Sequence, residues 1–119
     1  MPISTHKGGC HCGAVRYSVD IDPAEAAIAC NCSICGRSGS YLQFAPLDKF
    51  TLEQGEDNLT DYTFNKNVIH HLFCKTCGIK SFARGQKPDG TKMIAINVRC
   101  LDDVDANQIP TRPYDGRSH

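Results

Sequence analysis

The chain contains no tryptophan and only two methionines. No stretch of it approaches the ~18 consecutive apolar residues of a membrane-spanning helix. It also lacks an excess of charge of either sign, with Lys and Arg totalling 13 against 13 for Asp and Glu. A balanced surface gives no electrostatic footprint for nucleic acid or for an anionic membrane, both of which need clustered basic residues. The opening segment, Met1 to Lys7, lacks the apolar run of ~7–15 residues that a secretory signal requires. Repeats, low-complexity tracts and linkers are absent too, because Gly and Pro fall in short punctuating clusters. These absences lead us to expect a soluble, cytoplasmic protein with neither a nucleic-acid nor a membrane partner. At 119 residues it has room for one core of ordinary size rather than two.

What is present reads mainly as strand. Residues Ala14 to Ile21 alternate apolar and polar side chains with period two, as a strand with one buried face does. Short runs rich in β-branched and aromatic residues recur at Tyr41 to Phe44, Asp61 to Phe64, Val68 to Phe73, Lys80 to Ala83 and Met93 to Val98. The segment Gln86 to Thr91 carries Asp89-Gly90 and predicts a hairpin-type turn. Helix signals are confined to Asp22 to Ala27, where a capping residue and Pro23 precede helix formers for one short turn. The expected fold is mostly β: a single domain, 1–119, of antiparallel sheets, with a core of about 8–102. An extended tail, 103–119, should lie on the surface.

Seven of the eight cysteines fall into three tight groups: Cys10 and Cys12; Cys30, Cys32 and Cys35; Cys74 and Cys77. In a reducing compartment, such spacing is more often metal ligation than disulfide bonding. The C-x-x-C turn ending in Gly78 aims two sulfurs and several backbone N–H groups at one point, which is half of a tetrahedral site. In C-x-C the two side chains leave the backbone on the same side, so Cys10 and Cys12 can converge where Gly8, Gly9 and Gly13 let the chain bend. Structural zinc takes four protein ligands, whereas catalytic zinc takes three and keeps one position open. The count therefore fits a closed site of Cys10, Cys12, Cys74 and Cys77 and an open one of Cys30, Cys32 and Cys35, with two zinc ions per chain. Other partitions remain: the triplet can borrow a ligand from another group or from Cys100, or a single metal can bind. The long loop from Cys12 to Cys74 is no obstacle. Loop closure costs only about 0.6 kcal/mol per doubling of length, against roughly 10–16 kcal/mol from structural zinc.

The remaining polar residues carry weaker signals. Cys100 stands alone after a strand and reads as a packed small hydrophobe. His70 and His71 lie in a strand, where alternation sends one inward and one outward, and His11 is expected to point away from the metal. Arg37, Arg84 and Arg99 can anchor a substrate carboxylate, although solvated arginines are commoner.

Taken together, Gly9 to Tyr17, Cys30-Asn31-Cys32-Ser33-Ile34-Cys35 and Phe73-Cys74-Lys75-Thr76-Cys77-Gly78 resemble the glutathione-dependent formaldehyde-activating family, which also includes centromere protein V. The motifs match in order and in spacing, over nearly the whole chain. The resemblance implies a tent-like arrangement of antiparallel sheets around a structural zinc held by the first and third motifs. It implies an active-site zinc on Cys30, Cys32 and Cys35. It further implies a carbon–sulfur lyase handling S-(hydroxymethyl)glutathione, with glutathione as cosubstrate and formaldehyde as aldehyde. In that chemistry the second zinc lowers the pKa of the glutathione thiol or acts as a Lewis acid towards the carbonyl oxygen. One departure is Gly36-Arg37-Ser38 after Cys35, where family members often carry two consecutive basic residues. The competing readings are a non-enzymatic zinc-stabilised protein-binding module, favoured by a full fourth ligand at the second metal, and a thiolate–zinc redox sensor, favoured by zinc release under mild peroxide.

Overall fold

The structure, a computed structural model, describes residues 3–22, 24–63, 69–87 and 89–115. Among them are the strands β1 (Ser4–Gly9), β2 (Arg16–Ile21), β3 (Ala27–Cys30), β4 (Leu42–Pro46), β5 (Phe50–Gln54), β6 (Leu59–Tyr62), β7 (His70–Cys74), β8 (Phe82–Gln86), β9 (Lys92–Asn97) and β10 (Thr111–Tyr114). One turn of helix, α1 (Cys35–Ser38), and four 3-10 turns complete the order. The strands form a three-stranded sheet, β1-β2-β5, and a seven-stranded sheet, β10-β3-β4-β9-β8-β7-β6. Among the described residues, no helix is long and apolar enough to cross a membrane.

Burial follows the sequence pattern where a strand has one covered face. Along β2, Tyr17, Val19 and Ile21 are buried while Arg16, Ser18 and Asp20 are half-buried. In β9, by contrast, Ile94, Ala95, Ile96 and Asn97 are buried consecutively, as in a central strand covered on both faces. The two sheets meet at three aromatic rings. Tyr17 of β2 stands 5.3 Å from Phe50 and 5.9 Å from Phe82, and Phe50 stands 4.9 Å from Phe82. The Tyr17 hydroxyl, inside this core, donates to the carbonyl of Ser81 at 3.3 Å, so the polar end of the ring is satisfied as burial requires.

Several expectations need correction. The described residues of Asp22 to Ala27 form a turn and not a helix: the Glu25 N–H bonds the Asp22 carbonyl at 3.1 Å, the Ala24 N–H bonds Asp22 Oδ1 at 3.0 Å, and Ala27 already begins β3. So short a segment does not repay helix nucleation when the sheet offers the chain its next hydrogen bonds. Pro23 lies outside the described residues, as do Phe64 and Val68 of the two strand expectations flanking 64–68 and Pro88 of the hairpin. That hairpin does join β8 to β9, with Gly90 N–H bonded to the Lys87 carbonyl at 2.8 Å. The sheets are not wholly antiparallel, because β10 runs parallel to β3 with Thr111 opposite Ala27 and Tyr114 opposite Cys30. Within the tail, Thr111 to Tyr114 form an exposed edge strand of the larger sheet, while Val104 and Ile109 are half-buried against the core. Residues 116–119 of the tail lie outside the described residues. Strand pairing therefore extends beyond the core expected for about 8–102, at both ends.

Candidate metal centres

The first cluster is built where the two sheets converge. Cys10 and Cys12 follow β1 in the smaller sheet, and Cys74 closes β7 in the larger one. Gly9 lets the first loop fold tightly, since a Cβ there would stand 2.0 Å from the Val15 carbonyl oxygen. In the second loop, Gly78 has φ +78°, the left-handed conformation that the end of the C-x-x-C turn demands. The result brings the sulfurs of Cys10, Cys12, Cys74 and Cys77 within 4.8 Å of one another, with Cys12 Sγ at 3.6 Å from both Cys10 Sγ and Cys74 Sγ. Thiolates around a tetrahedral ion at ~2.3 Å would be ~3.8 Å apart, so the donor set and its spacing fit zinc.

Backbone N–H groups are aimed at these sulfurs. Val15 donates to Cys10 Sγ at 3.3 Å, and Thr76 and Cys77 donate to Cys74 Sγ at 3.3 and 3.5 Å. Asn58 Nδ2 adds a side-chain donor to Cys74 Sγ at 3.4 Å and also bonds Thr76 Oγ1 at 3.2 Å. These donors stabilise the ionised form. The N–H groups of Cys12 and Ile79 draw the Cys77 thiol down to about 6, and those of Cys77 and Thr76 lower Cys74. At Cys12 the Ala14 N–H favours the thiolate, but burial and the neighbouring Cys10, Cys74 and Cys77 outweigh it and raise the thiol to about 11. Four thiols this close cannot all ionise without a cation, so metal uptake must release protons.

The second cluster lies on the larger sheet. Cys30 closes β3, Cys35 opens α1, and the loop between them carries Cys32; the three sulfurs lie within 4.8 Å of one another. Gly36 and Ser38 N–H groups bond the Cys32 and Ile34 carbonyls at 2.8 Å, and Gly39 N–H closes the turn on the Cys35 carbonyl at 3.0 Å. That single turn of helix had no signature in the sequence, being too short for any apolar period. Cys35 is buried against Leu42, Ala83 and Ala95, while Cys30 and Cys32 are half-buried. Burial pushes the Cys35 thiol up to about 12. Burial opposes ionisation of Cys32 too, yet the N–H groups of Cys35 and Ile34 and the neighbouring thiols hold it below the ordinary thiol value. Among the described residues, the cluster gathers no fourth ligand atom. Ser33, Ile34, Arg37 and Ser38 of the same segment, together with Tyr62, line a cleft of about 480 Å³.

The two sets are the ones the cysteine spacing groups together, and Cys100 belongs to neither. Its thiol faces the Lys80 carbonyl at 3.9 Å, and burial raises it to about 11. His71 is buried and His70 is half-buried, the latter bonded to Asp61 at 2.7 Å; His11 is exposed and stands outside the cluster. The arginines are engaged locally. Arg84 lies over the Phe82 ring, Arg99 over the Tyr41 ring, and Arg37 donates to the Ser33 carbonyl at 2.9 Å. Two residues that sequence reasoning missed are Asn58, through its bond to Cys74, and Lys80, a strand-edge residue whose ammonium turns inward.

Comparison with known proteins supplies the remaining finding. A family model described as glutathione-dependent formaldehyde-activating enzyme matches residues 5–114. A crystal structure of a Rhodobacter sphaeroides protein is 34% identical, superposes with a TM-score of 0.79, and covers 90% of this chain and 97% of its own.

Proposed function

Since the chain belongs to the glutathione-dependent formaldehyde-activating enzyme family, we propose that it is a zinc-dependent carbon–sulfur lyase, interconverting S-(hydroxymethyl)glutathione with glutathione and formaldehyde. The observation that carries this reading is the contrast between the clusters. Four thiols close round one point, whereas three thiols gather with no fourth ligand among the described residues, on a segment that lines a cleft. That is the distinction between a structural and a catalytic thiolate site.

In the forward direction the thiol loses its proton, a carbon–sulfur bond forms to the aldehyde carbon, and the carbonyl oxygen gains a proton. Lyase turnover runs the same steps backwards. A zinc ion bound by Cys30, Cys32 and Cys35 would supply the acidity that makes a thiolate available at neutral pH. The chain's own contribution is position. The turn of α1 fixes Cys35 in the apolar floor, and β3 fixes Cys30 at the rim. The cleft is lined by Ser33, Ser38, Tyr62 and Arg37 together with Ile34, residue types that suit a substrate carrying carboxylates and amides.

Metal content per chain tests this, measured by elemental analysis on wild type and on Cys32→Ser, followed by calorimetric titration of glutathione. We expect two zinc ions in wild type, one in a folded Cys32→Ser protein, and saturable glutathione binding in wild type alone. One zinc in wild type, or two with no response to the thiol, would leave a structural zinc module as the better description.

A further inference from the structure

Strand β1 carries a cluster of polar side chains that belongs to neither group of cysteines. Alternation along it puts Ser4, His6 and Gly8 on one face, and the segment from Cys100 to Asp103 runs along its edge. Gly8 is bridged to Leu101, and the Asp102 N–H donates to the Lys7 carbonyl at 2.9 Å. A Cβ on Gly8 would stand 2.7 Å from the Cys100 carbonyl oxygen, so the close approach requires glycine there. Arg16 anchors the same segment through its ion pair with Asp102. So held, the Asp103 carboxylate meets His6 Nδ1 at 2.7 Å, while Nε2 of the same ring lies 2.8 Å from the Ser4 hydroxyl. The imidazole is buried, whereas Ser4 and Asp103 are exposed.

These contacts assign the protons. An ionised carboxylate only accepts, so Nδ1 carries the ring proton; in the neutral ring Nε2 then keeps a lone pair, and the Ser4 hydroxyl donates to it. A serine hydroxyl on one ring nitrogen and a carboxylate on the other is the arrangement of a nucleophile, its general base and the group that orients the base. Burial holds the ring in one orientation, and exposure leaves the serine oxygen within reach of a reagent from solvent. A donor for a developing oxyanion lies next door. Lys7 turns its carbonyl away from β2, towards Asp102, so backbone alternation directs the Thr5 N–H, two residues earlier, to the same outer edge of the sheet. An N–H from the residue after the nucleophile is a recurrent source of such stabilisation.

We propose that Ser4, His6 and Asp103 form an esterase-type site, with Ser4 as nucleophile, His6 as general base and Asp103 as the residue that positions the ring. The substrate class is a small carboxylic ester with a good leaving group, because the exposed Ser4 is easily reached but offers little surface to hold a larger molecule. Ser4 gives its proton to Nε2 as its oxygen bonds the acyl carbon. The bond from that carbon to the leaving oxygen breaks, and the departing alkoxide takes the proton from Nε2. Water then repeats the exchange, which releases the carboxylic acid and restores Ser4. The site needs no metal and is independent of the reading of either cysteine cluster.

The test uses the full chain and a fluorophosphonate probe, with the labelled residue located by peptide mass spectrometry and the turnover of 4-nitrophenyl acetate followed in parallel. Wild type should form an adduct on Ser4, and Ser4→Ala should lose both that adduct and the turnover above its own thiol background. In His6→Gln, labelling should slow about 100-fold or more, the usual contribution of a general base. Asp103→Asn should slow it as well, because an amide N–H facing Nδ1 favours the wrong tautomer. Asp103→Glu should restore most of the rate, a rescue that a merely structural contact would not give. Circular dichroism checks that each variant is folded; if His6→Gln is not, the two substitutions at the exposed Asp103 decide the matter. No adduct on Ser4 in wild type overturns the proposal. So does equal labelling of the wild-type, Asp103→Asn and Asp103→Glu proteins, or turnover that is the same in wild type and Ser4→Ala.

Discussion

At the scale of single residues, the sequence is most informative where chemistry leaves least choice. A soft metal at a tetrahedral site needs thiolates at short spacing, and few other roles place seven cysteines in three clusters. The groups around those thiolates have no such signature. Asn58 reaches Cys74 across 16 positions, and Lys80 looks like any strand-edge lysine until its Nζ is seen to be buried. Asn58 is also a clean probe, because it touches the four-thiol centre without being a ligand. Replacing it with alanine removes the side-chain donor to Cys74 Sγ but leaves all four sulfurs and the N–H groups of Thr76 and Cys77 in place. Loss of such an outer partner costs about 10–100-fold in metal affinity. We therefore expect Asn58→Ala to bind the same number of zinc ions as wild type but to surrender one of them to a chromophoric chelator at a correspondingly lower concentration. Unchanged competition would show that the backbone donors suffice.

At the scale of elements, period-two alternation located β2 because that strand has one wet face, and it failed for β10 because all four of its residues are exposed. Nothing in Thr111 to Tyr114 taken alone says which strand it will join or in which direction. Those are settled by the exposed edge of β3, where the Ala27 N–H donates to the Pro110 carbonyl at 2.8 Å and the Asn31 N–H donates to that of Tyr114 at 3.2 Å. Pro113 is tolerated there because an edge strand can forgo a donor. The consequence reaches the candidate active site. Tyr114 lies opposite Cys30, and Asn31, between two of the clustered cysteines, bonds the Asp115 carboxylate at 3.1 Å. β10 thus holds the Cys30–Cys32 segment to the sheet. A chain stopped after Ile109 should keep the four-thiol centre and lose affinity at the triplet. Zinc stoichiometry measured after dialysis should fall from two towards one, while the circular dichroism spectrum stays close to wild type. Retention of both ions would mean that α1 and β4 position the triplet without the tail.

At the scale of the whole molecule, the composition and strand pattern were enough for a mostly β domain, but the division into a smaller and a larger sheet was not legible. It depends on which strands share an edge, and this sequence has no repeat to reveal that. The cysteine spacing nevertheless contained the link between the sheets, since Cys10 and Cys12 leave the smaller sheet while Cys74 and Cys77 leave the larger. Beyond the aromatic contact of Tyr17, Phe50 and Phe82, a metal ion on those four sulfurs would be the strongest tie between the layers. Structural zinc supplies roughly 10–16 kcal/mol, comparable with the whole stability of an ordinary domain at about 5–15 kcal/mol. The two centres should therefore respond differently to the same loss. Cys77→Ser leaves three sulfurs at the junction of the sheets and should unfold the protein or lower its melting temperature severely. Cys32→Ser affects only a loop on the face of one sheet and should leave the melting temperature near that of wild type. A strong chelator should reproduce the first effect in wild type, and added zinc should reverse it. If Cys77→Ser and wild type melt together, the aromatic core alone holds the sheets, and the four-thiol cluster is an accessory to the fold rather than part of it.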